Sequence, residues 1–257
     1  MKILALDSST DVCSAALQAD DVLIGEILLR SRETHSARLM PAVDQLLKFA
    51  SWTLSDLDVI AVTRGPGSFT GVRIALTTAK TLAFAIKCAI IPLGSLEVLA
   101  GNLVPQTGLL VPVFEARKKE VFGAIYRAIG SDLSEVMPPR AADPEVFARD
   151  LRAVAADNEP VILTGSGLRP YAQVFRSVLG HQARLASAFH WQPRAAVAAF
   201  LAGLRIRAGC PFEPIDGVRE YAQVNPIYCR KSEAEIGWEA RTGAPFVPPP
   251  PAPLAEP

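Results

Sequence analysis

The 257 residues include 26 basic and 26 acidic side chains, so the formal net charge is zero and bulk charge does not favour nucleic-acid binding. Half of the residues are apolar, which suffices for a sizeable core in one large or two small domains. Four cysteines lie far apart and form no CxxC pair, which excludes a zinc ribbon and a small disulfide scaffold.

The first half of the chain predicts three strands followed by alternating helices and strands. Apolar runs separated by short polar turns indicate strands at residues 2–6, 13–17 and 22–29. A helix is expected from about residue 36 to 49, with Pro41 in or near its first turn, because a later proline would cost a hydrogen bond. The elements that follow are a strand, a helix, a strand and a helix, at residues 57–63, 71–86, 89–92 and from Ser95.

The second half repeats this order of elements. Strands are expected at residues 109–114, 121–128, 133–136 and 161–164, and helices at 144–155, 170–178 and 193–207. Asp143 is the expected N-cap of the first of these helices. Two copies of one mixed α/β unit predict two RNase H-like lobes around a cleft, the layout of the actin-like, sugar-kinase and Hsp70 ATPase (ASKHA) fold.

These patterns divide the chain into four parts. Residues 1–106 form the predicted N-terminal lobe and residues 107–209 the C-terminal lobe. Residues 210–235 are expected to pack back on the lobes. The proline-rich tail at residues 236–257 is expected to be disordered, because such proline density favours a solvated, extended chain. A ligand for a proline-binding groove is the alternative interpretation of that tail.

A glycine-rich loop joins the strand at 57–63 to the following helix. It consists of Gly65, Pro66, Gly67, Ser68, Phe69, Thr70 and Gly71, and Arg73 follows. It lacks the Gly-Lys-Ser/Thr of a Walker loop and is not a GxGxxG motif. Ser68 and Thr70 are N-cap candidates, and free N–H groups at a helix start suit an anion. Two interpretations stay open: an anion site, or a tight turn required for packing.

This loop and the start of its helix, GPGSFTGVRIALTTAKTLA, resemble the signature of the bacterial TsaB (YeaZ) family of tRNA threonylcarbamoyladenosine biosynthesis. Further matching stretches are ILALDSST (3–10), THSARLMPAVDQLL (34–47), EARKKEVFGAIY (115–126) and NPIYCRKSEAE (225–235). The resemblance spans residues 1 to about 235. Glu115 departs from it, since the family more often has Asp there, and so does the proline-rich end.

The resemblance implies the same actin-like fold and a non-catalytic partner subunit. The partner would be a TsaD-type subunit, which transfers a threonylcarbamoyl group to adenosine 37 of ANN-decoding tRNAs, joined by a TsaE-type ATPase. The tRNA would be contacted mainly through the complex. The family is expected to pair through two helices, with TsaD or with itself. No signal peptide or membrane-spanning run is recognised in the sequence, so a cytoplasmic location is expected. A small-molecule kinase or ATPase with an inter-lobe nucleotide site is the alternative function.

Actin-like ATPases hold phosphate and magnesium with an acidic residue and small hydroxyl or glycine residues in turns of the two lobes. The corresponding residues are Asp7, Ser8, Ser9 and Thr10 in the first lobe, and Gly165, Ser166 and Gly167 in the second. Ordinary turns have the same composition. The site is interpreted as vestigial, with no cofactor expected, and weak adenine-nucleotide binding stays as the alternative.

Catalytic and metal-binding residues are not expected. TsaD is known for two helix-borne histidines four residues apart that hold its metal. Aligned on Pro41, His35 takes the place of the second histidine, while Ser31 and Leu39 lie four residues to either side and cannot replace imidazole. The run 117–119, Arg-Lys-Lys, is interpreted either as a contact to tRNA phosphate or as a solvated hairpin tip.

Small residues form a stripe on the helix after the glycine-rich loop. Gly71, Ala75, Ala79 and Ala83 recur every four residues, so they share one face. The helix is apolar nearly all round, which indicates burial on both sides. The second cover is the helix at 36–49, another subunit, or both. The predicted partner interface comprises Leu39, Val43, Leu46, Gly71, Ala75, Ala79 and Ala83.

Overall fold

The computed structural model describes residues 1–30, 34–210, 224–230, 237–238 and 241–243. Within these residues the first five strands are β1 (Lys2–Asp7), β2 (Val12–Ala19), β3 (Val22–Arg30), β4 (Val59–Thr63) and β5 (Ala89–Leu93). The next five are β6 (Leu109–Glu115), β7 (Val121–Ile129), β8 (Asp132–Ala142), β9 (Val161–Thr164) and β10 (Ala183–Leu185). The helices are α1 (His35–Ala50), α2 (Phe69–Ile86), α3 (Ser95–Gly101), α4 (Pro144–Val154), α5 (Leu168–Leu179) and α6 (Ala195–Arg207).

The two sheets have the same strand order. The first runs β3-β2-β1-β4-β5, and the second, from its other edge, runs β8-β7-β6-β9-β10. In each sheet the first three strands along the chain are antiparallel and the last two are parallel to the first of them. Three antiparallel strands followed by two parallel crossovers make an RNase H-like lobe. The duplicated order confirms the predicted α/β, actin-like fold.

The central strands of the first sheet are buried on both faces, while the edge strand β3 is largely exposed. Leu4, Leu6 and Ile60 pack with α1 and α2 on one face. On the opposite face α6 covers the sheet through four buried alanines, whose small side chains allow close packing. The prediction that assigned residues 107–209 to the C-terminal lobe is therefore wrong for α6, which joins the core of the first lobe.

Helix α3 makes the opposite exchange. Leu96 and Leu99 pack with Leu110 and Phe114 of the second sheet, although α3 precedes the predicted boundary at residue 106. Helices α4 and α5 cover the other face of that sheet, where the rings of Phe147 and Phe175 meet edge to face at 6.4 Å. Each sheet thus has helices on both of its faces. Helix α6 packs on the first sheet and helix α3 on the second, so each covers the sheet of the other half of the chain.

The starts of three helices test the predicted N-caps and the predicted position of Pro41. Ser68 is the N-cap of α2 and accepts from the Gly71 amide, and Asp143 caps α4 through the amides of Glu145 and Val146. Pro41 lies six residues after His35, the first residue of α1, and so beyond the first turn, contrary to prediction. The carbonyl that Pro41 leaves without its amide partner belongs to Ala37, an exposed residue, so water can satisfy it.

Helix α2 is a core helix of the first lobe. By length and composition alone it is apolar enough to cross a membrane, which is weak evidence because core helices pass the same test. Its buried residues, among them Ala75, Ala79 and Ala83, face α1 and the first sheet. The sequence left open which element packs on the stripe of small residues. In the structure, α1 of the same chain packs there.

The C-terminal part of the chain is described in pieces. Residues 224–230 contact the first lobe, with Val224 buried in its core. Near the end, residues 237–238 and 241–242 are helical, and Thr242 donates to the Trp238 carbonyl at 2.8 Å. Helix at these residues contradicts the prediction of disorder from residue 236. The rest of the predicted tail, from residue 244, lies outside the described residues.

Candidate functional site: a closed cleft turn and an exposed helical face

The turn after β1 is buried. Asp7 and Ser8 are fully buried, and Ser9 is 1% exposed. Both serine hydroxyls are bonded within the chain, since Ser8 Oγ donates to the Gly71 carbonyl at 2.7 Å and Ser9 Oγ donates to Asp7 Oδ1 at 2.7 Å. Thr63 Oγ1 donates to the same Asp7 oxygen at 2.5 Å. The turn therefore connects β1, β4 and α2 and presents no serine hydroxyl to a phosphate.

The glycine-rich loop packs directly on this turn. The Ser68 amide donates to the Ser9 carbonyl at 2.7 Å. A Cβ at Gly67 would lie 2.2 Å from that carbonyl oxygen, and one at Gly71 would lie 1.9 Å from the oxygen of Ser8. Both distances are shorter than any real contact, so only glycine permits the approach. Of the two interpretations of the loop, the structure favours the tight packing turn.

Asp7 has an unusual environment for a carboxyl group. Burial raises the pKa of Asp7 to about 6, and the hydrogen bonds from Thr63 and Ser9 oppose that shift. Its Oδ2 has no hydrogen-bond partner among the described residues. A carboxylate that orders a magnesium-bound water must reach the cleft, whereas Asp7 is enclosed by protein. Through Oδ1, Asp7 links the turn to β4.

The predicted clamp of the second lobe is also a packing turn. Ser166 Oγ accepts from the Glu115 amide at 3.2 Å, and the Gly167 amide donates to the Val113 carbonyl at 3.0 Å. Gly165 has a φ of 111°, and a Cβ there would lie 2.3 Å from the Val113 oxygen. These contacts hold the turn against β6, and they use the Gly167 amide, one of the donors that could have bound phosphate.

A segment before α6 lies across the ends of both sheets. Thr10, a predicted phosphate ligand, is partly buried, and its Oγ1 donates to Gln192 Oε1 at 2.9 Å. Its hydroxyl is therefore already hydrogen-bonded within the chain. Asn102 Nδ2 donates to the Gln192 carbonyl at 2.7 Å, and Thr164 Oγ1 donates to the His190 carbonyl at 2.6 Å. The segment before α6 thus connects the two lobes across the cleft. Sequence reasoning missed these residues, and no local signal marks them.

Comparisons with known proteins agree with the family resemblance of the sequence. The family model described as TsaD, tRNA N6-adenosine threonylcarbamoyltransferase, matches residues 28–238. The tRNA threonylcarbamoyladenosine biosynthesis protein TsaB of Bacillus subtilis (strain 168) is 35% identical over 242 residues, which are 93% of this chain and 98% of that protein. The chain belongs to the TsaB family. TsaB of Haemophilus influenzae is 32% identical over 180 residues, 67% of this chain and 75% of that protein.

Two solved structures of Pseudomonas aeruginosa proteins agree with this assignment. The protein named YeaZ from Pseudomonas aeruginosa superposes with a TM-score of 0.72 at 28% identity, covering 88% of this chain and 99% of that chain. A second Pseudomonas aeruginosa structure, described as similar to peptidase YeaZ, has a TM-score of 0.73 at 31% identity, with coverage of 89% and 99%. The predicted resemblance is confirmed.

His35, which aligns with one of the metal-binding histidines of TsaD, contacts the cleft turn. His35 Nε2 lies 2.8 Å from the Thr10 carbonyl oxygen. Leu39 is buried in the core, and Ser31 lies outside the described residues. Across the described part of the chain, no group of three or more His, Cys, Asp or Glu is placed to hold a metal ion. His35 therefore has a structural partner in the turn.

The predicted partner interface of this TsaB-family protein needs correction. All seven residues are buried within the chain itself: Leu39, Val43, Leu46, Gly71, Ala75, Ala79 and Ala83. The stripe is smooth because α2 packs closely on its own lobe, so a partner cannot reach it. The sequence pattern identified the packed face of the helix, and of the neighbours that it left open the structure has α1 of the same chain there.

The opposite face of α1 and α2 is exposed and partly apolar. Met40, Phe69 and Phe84 are 40%, 46% and 57% exposed. A groove of about 430 Å³ runs along this face and is lined by Ser36, Phe69, Thr70, Arg73, Ile74, Thr77 and Thr78. Large exposed apolar side chains on a helical face, one of which lines a groove, are typical of a protein-binding surface. We call this surface the outer helical face.

Residues 224–230 complete one end of the outer helical face. The Arg73 guanidinium lies 3.8 Å from the centroid of the Phe69 ring, and its Nε donates to the Tyr228 hydroxyl at 2.9 Å. The Phe69 and Tyr228 rings stack at 5.2 Å. The Ile227 amide donates to the Arg64 carbonyl at 2.6 Å. These contacts fix the start of α2 and the side chains of the motif loop around it.

Proposed function

We propose that this chain is the non-catalytic partner of a TsaD-type subunit that forms N6-threonylcarbamoyladenosine at position 37 of ANN-decoding tRNAs. A TsaE-type ATPase joins the pair in the cytoplasm. Membership of the TsaB family supports the pathway. The observation that carries the non-catalytic role is the closed turn, in which Asp7, Ser8 and Ser9 lie under the glycine-rich loop of the same chain.

The same observation weakens the alternative of a small-molecule kinase or ATPase. Phosphate binding in the cleft needs free hydroxyls, amides and a magnesium-directed carboxylate. Here the serine hydroxyls bond to Gly71 and Asp7, and the opposite turn bonds to β6. We infer that no nucleotide or metal is a resident cofactor. The remaining role of such a fold is to present a surface.

That surface is the outer helical face. Phe69 and Thr77 line the groove, and Met40 and Phe84 are further large exposed apolar side chains on α1 and α2. A helix of a partner can lie against this face. Burying such a patch gives the hydrophobic contribution that a stable interface needs. A homodimer through the same face would compete with the TsaD-type partner. The tRNA is held mainly by the assembled complex.

Reconstitution tests this role. The purified TsaD-type and TsaE-type proteins, the threonylcarbamoyl-adenylate synthase and a tRNA transcript are combined with this chain, without it, or with Thr77→Arg. Thr77 is exposed in the groove, so an arginine there obstructs a partner and leaves the fold intact. We expect modification only with the wild-type chain. Gln173→Arg, an exposed position on α5, is the matched control and should retain full activity.

A further inference from the structure

The hairpin tip between β6 and β7 has an unexpected sequence for its backbone. Lys118 has φ and ψ of 62° and 33°, and Lys119 has a φ of 61°. The Glu120 amide closes the turn on the Arg117 carbonyl at 3.4 Å. Two consecutive central residues with positive φ are the pattern of a type I′ turn, which asparagine and glycine adopt most readily. Lysine has a Cβ that makes this conformation unfavourable at both positions.

The tip is nevertheless firmly built. The Ala116 amide donates to the Glu120 carbonyl at 2.9 Å, and Glu115 pairs with Val121 in the antiparallel ladder. Ala116 is buried beneath the turn, while residues 117–119 are all exposed. The strained backbone is thus fixed by the hairpin. Strain that surrounding structure maintains is characteristic of functional positions.

Charge concentrates at this tip in a chain whose net charge is zero. Arg117, Lys118 and Lys119 are consecutive, and Arg230 Nε lies 3.9 Å from Glu120 Oε2. Glu120 is one of the two acidic residues that flank the lysines, so Arg230 offsets its charge. Residues 224–230 are themselves anchored to the first lobe through Val224 and Ile227. Arg230 is only 20% exposed and is used in its pair with Glu120, so the three exposed basic side chains of the tip carry its net positive charge.

We propose that Arg117, Lys118 and Lys119 form a direct contact site for the phosphate backbone of tRNA, while Arg230 offsets the charge of Glu120 beside them. The inference rests on the proposed function, which supplies the RNA. Ammonium groups are suited to phosphate because they act as point charges with several donors, and phosphates recur at every nucleotide. A rigid turn that holds two lysines side by side can meet adjacent phosphates without ordering a loop. This explains why lysines occupy positions where asparagine and glycine would fold more readily.

The test replaces the two lysines with the residues that the turn prefers. Lys118→Asn/Lys119→Gly should raise the melting temperature by about 2–4 °C, because the backbone strain is relieved. The same variant should bind an ANN-decoding tRNA transcript about tenfold more weakly, alone and in complex with the TsaD-type protein. The slope of log affinity against log salt should fall by about 2, since two phosphate contacts are removed.

Two control variants separate charge from position. Lys118→Arg/Lys119→Arg keeps both charges and should keep most of the affinity. Arg169→Gln/Arg176→Gln removes two exposed charges from α5 and should leave both the affinity and the salt slope unchanged. Equal losses in the α5 variant and the turn variant would overturn the inference, because the effect would then be nonspecific.

Two other results also contradict the site. Unchanged tRNA affinity and salt slope in Lys118→Asn/Lys119→Gly would overturn it directly. Loss of TsaD-type pairing with tRNA binding retained would show that the tip binds an acidic protein surface instead. Failure of the proposed function is seen separately, as full tRNA modification when this chain is omitted. In that case, the tRNA-binding measurement on the chain alone still tests whether the turn binds tRNA.

Discussion

The same substitution two residues apart on α2 should have opposite consequences. Ala79 is fully buried on the face that packs on α1 and the first sheet, whereas Thr77 is exposed and lines the groove. Residues two apart on a helix face different directions. We therefore expect Ala79→Arg to unfold the chain and Thr77→Arg to leave it folded but unable to pair with a TsaD-type partner.

The magnitude follows from the burial of each position. At Ala79 the arginine charge would have no partner, which costs about 3–5 kcal/mol. Overpacking the closely packed seam adds about 1–3 kcal/mol. Their sum is comparable with the whole stability of a typical domain, about 5–15 kcal/mol. At Thr77 the new side chain stays in water, so the stability should change by less than about 0.5 kcal/mol.

Circular dichroism melting and size-exclusion chromatography with the TsaD-type partner distinguish these results. Ala79→Arg should be insoluble or lack a cooperative transition, and Thr77→Arg should melt like the wild type but elute without the partner. A folded Ala79→Arg monomer that fails to pair would refute the reasoning, because it would place the small-residue stripe in the interface. A Thr77→Arg variant that co-elutes normally would refute the outer helical face.

Three further predictions concern the closed turn. Gly71→Ala should cost at least about 3 kcal/mol in urea unfolding, because its Cβ would lie 1.9 Å from the Ser8 oxygen. Gly94→Ala, with 3.4 Å to its nearest atom, should cost less than about 1 kcal/mol, and equal losses would contradict the close approach. Burial raises the pKa of Asp7 from 3.8 to about 6, so the folded protein holds this proton more tightly, and stability is lost as the pH rises through that window. Relative to Asp7→Asn, the wild type should lose up to about 3 kcal/mol between pH 4 and pH 7, and parallel stability profiles would contradict the buried carboxyl. Magnesium-ATP at millimolar concentration should leave the melting temperature unchanged, and an increase of several degrees would favour the ATPase alternative.

Local signals in the sequence predicted most of the fold. The alternation of apolar runs and turn residues predicted both lobes, because each strand and helix has its own periodicity. Ser68 and Asp143 were recognisable caps, since a hydroxyl or carboxylate before an apolar run satisfies the first helical amides. The glycines at 65–71 were recognisable as positions that need close approach, although their neighbour could not be named.

The remaining features depend on contacts between distant parts of the chain. The exchange of α3 and α6 between lobes depends on which apolar helix face packs on which sheet. An apolar face in the sequence does not specify the sheet that it will contact. Ala79 illustrates this limit, because a smooth helical stripe fits a partner and the protein's own lobe equally well. Gln192 and Asn102 bridge the cleft through ordinary polar groups that no motif marks. Pro41 lies later in α1 than expected, because the carbonyl it leaves belongs to an exposed residue.

Formation of threonylcarbamoyladenosine on a tRNA transcript, measured by mass spectrometry of digested nucleosides, tests the central claim most directly. The chain alone should form none, the TsaD-type mixture should require it, and Asp7→Asn should support nearly wild-type yield because the closed turn takes no part in the chemistry. Thr77→Arg should give no product. Modification by this chain without the TsaD-type subunit, or a loss above about a hundredfold in folded, partner-binding Asp7→Asn, would contradict the account.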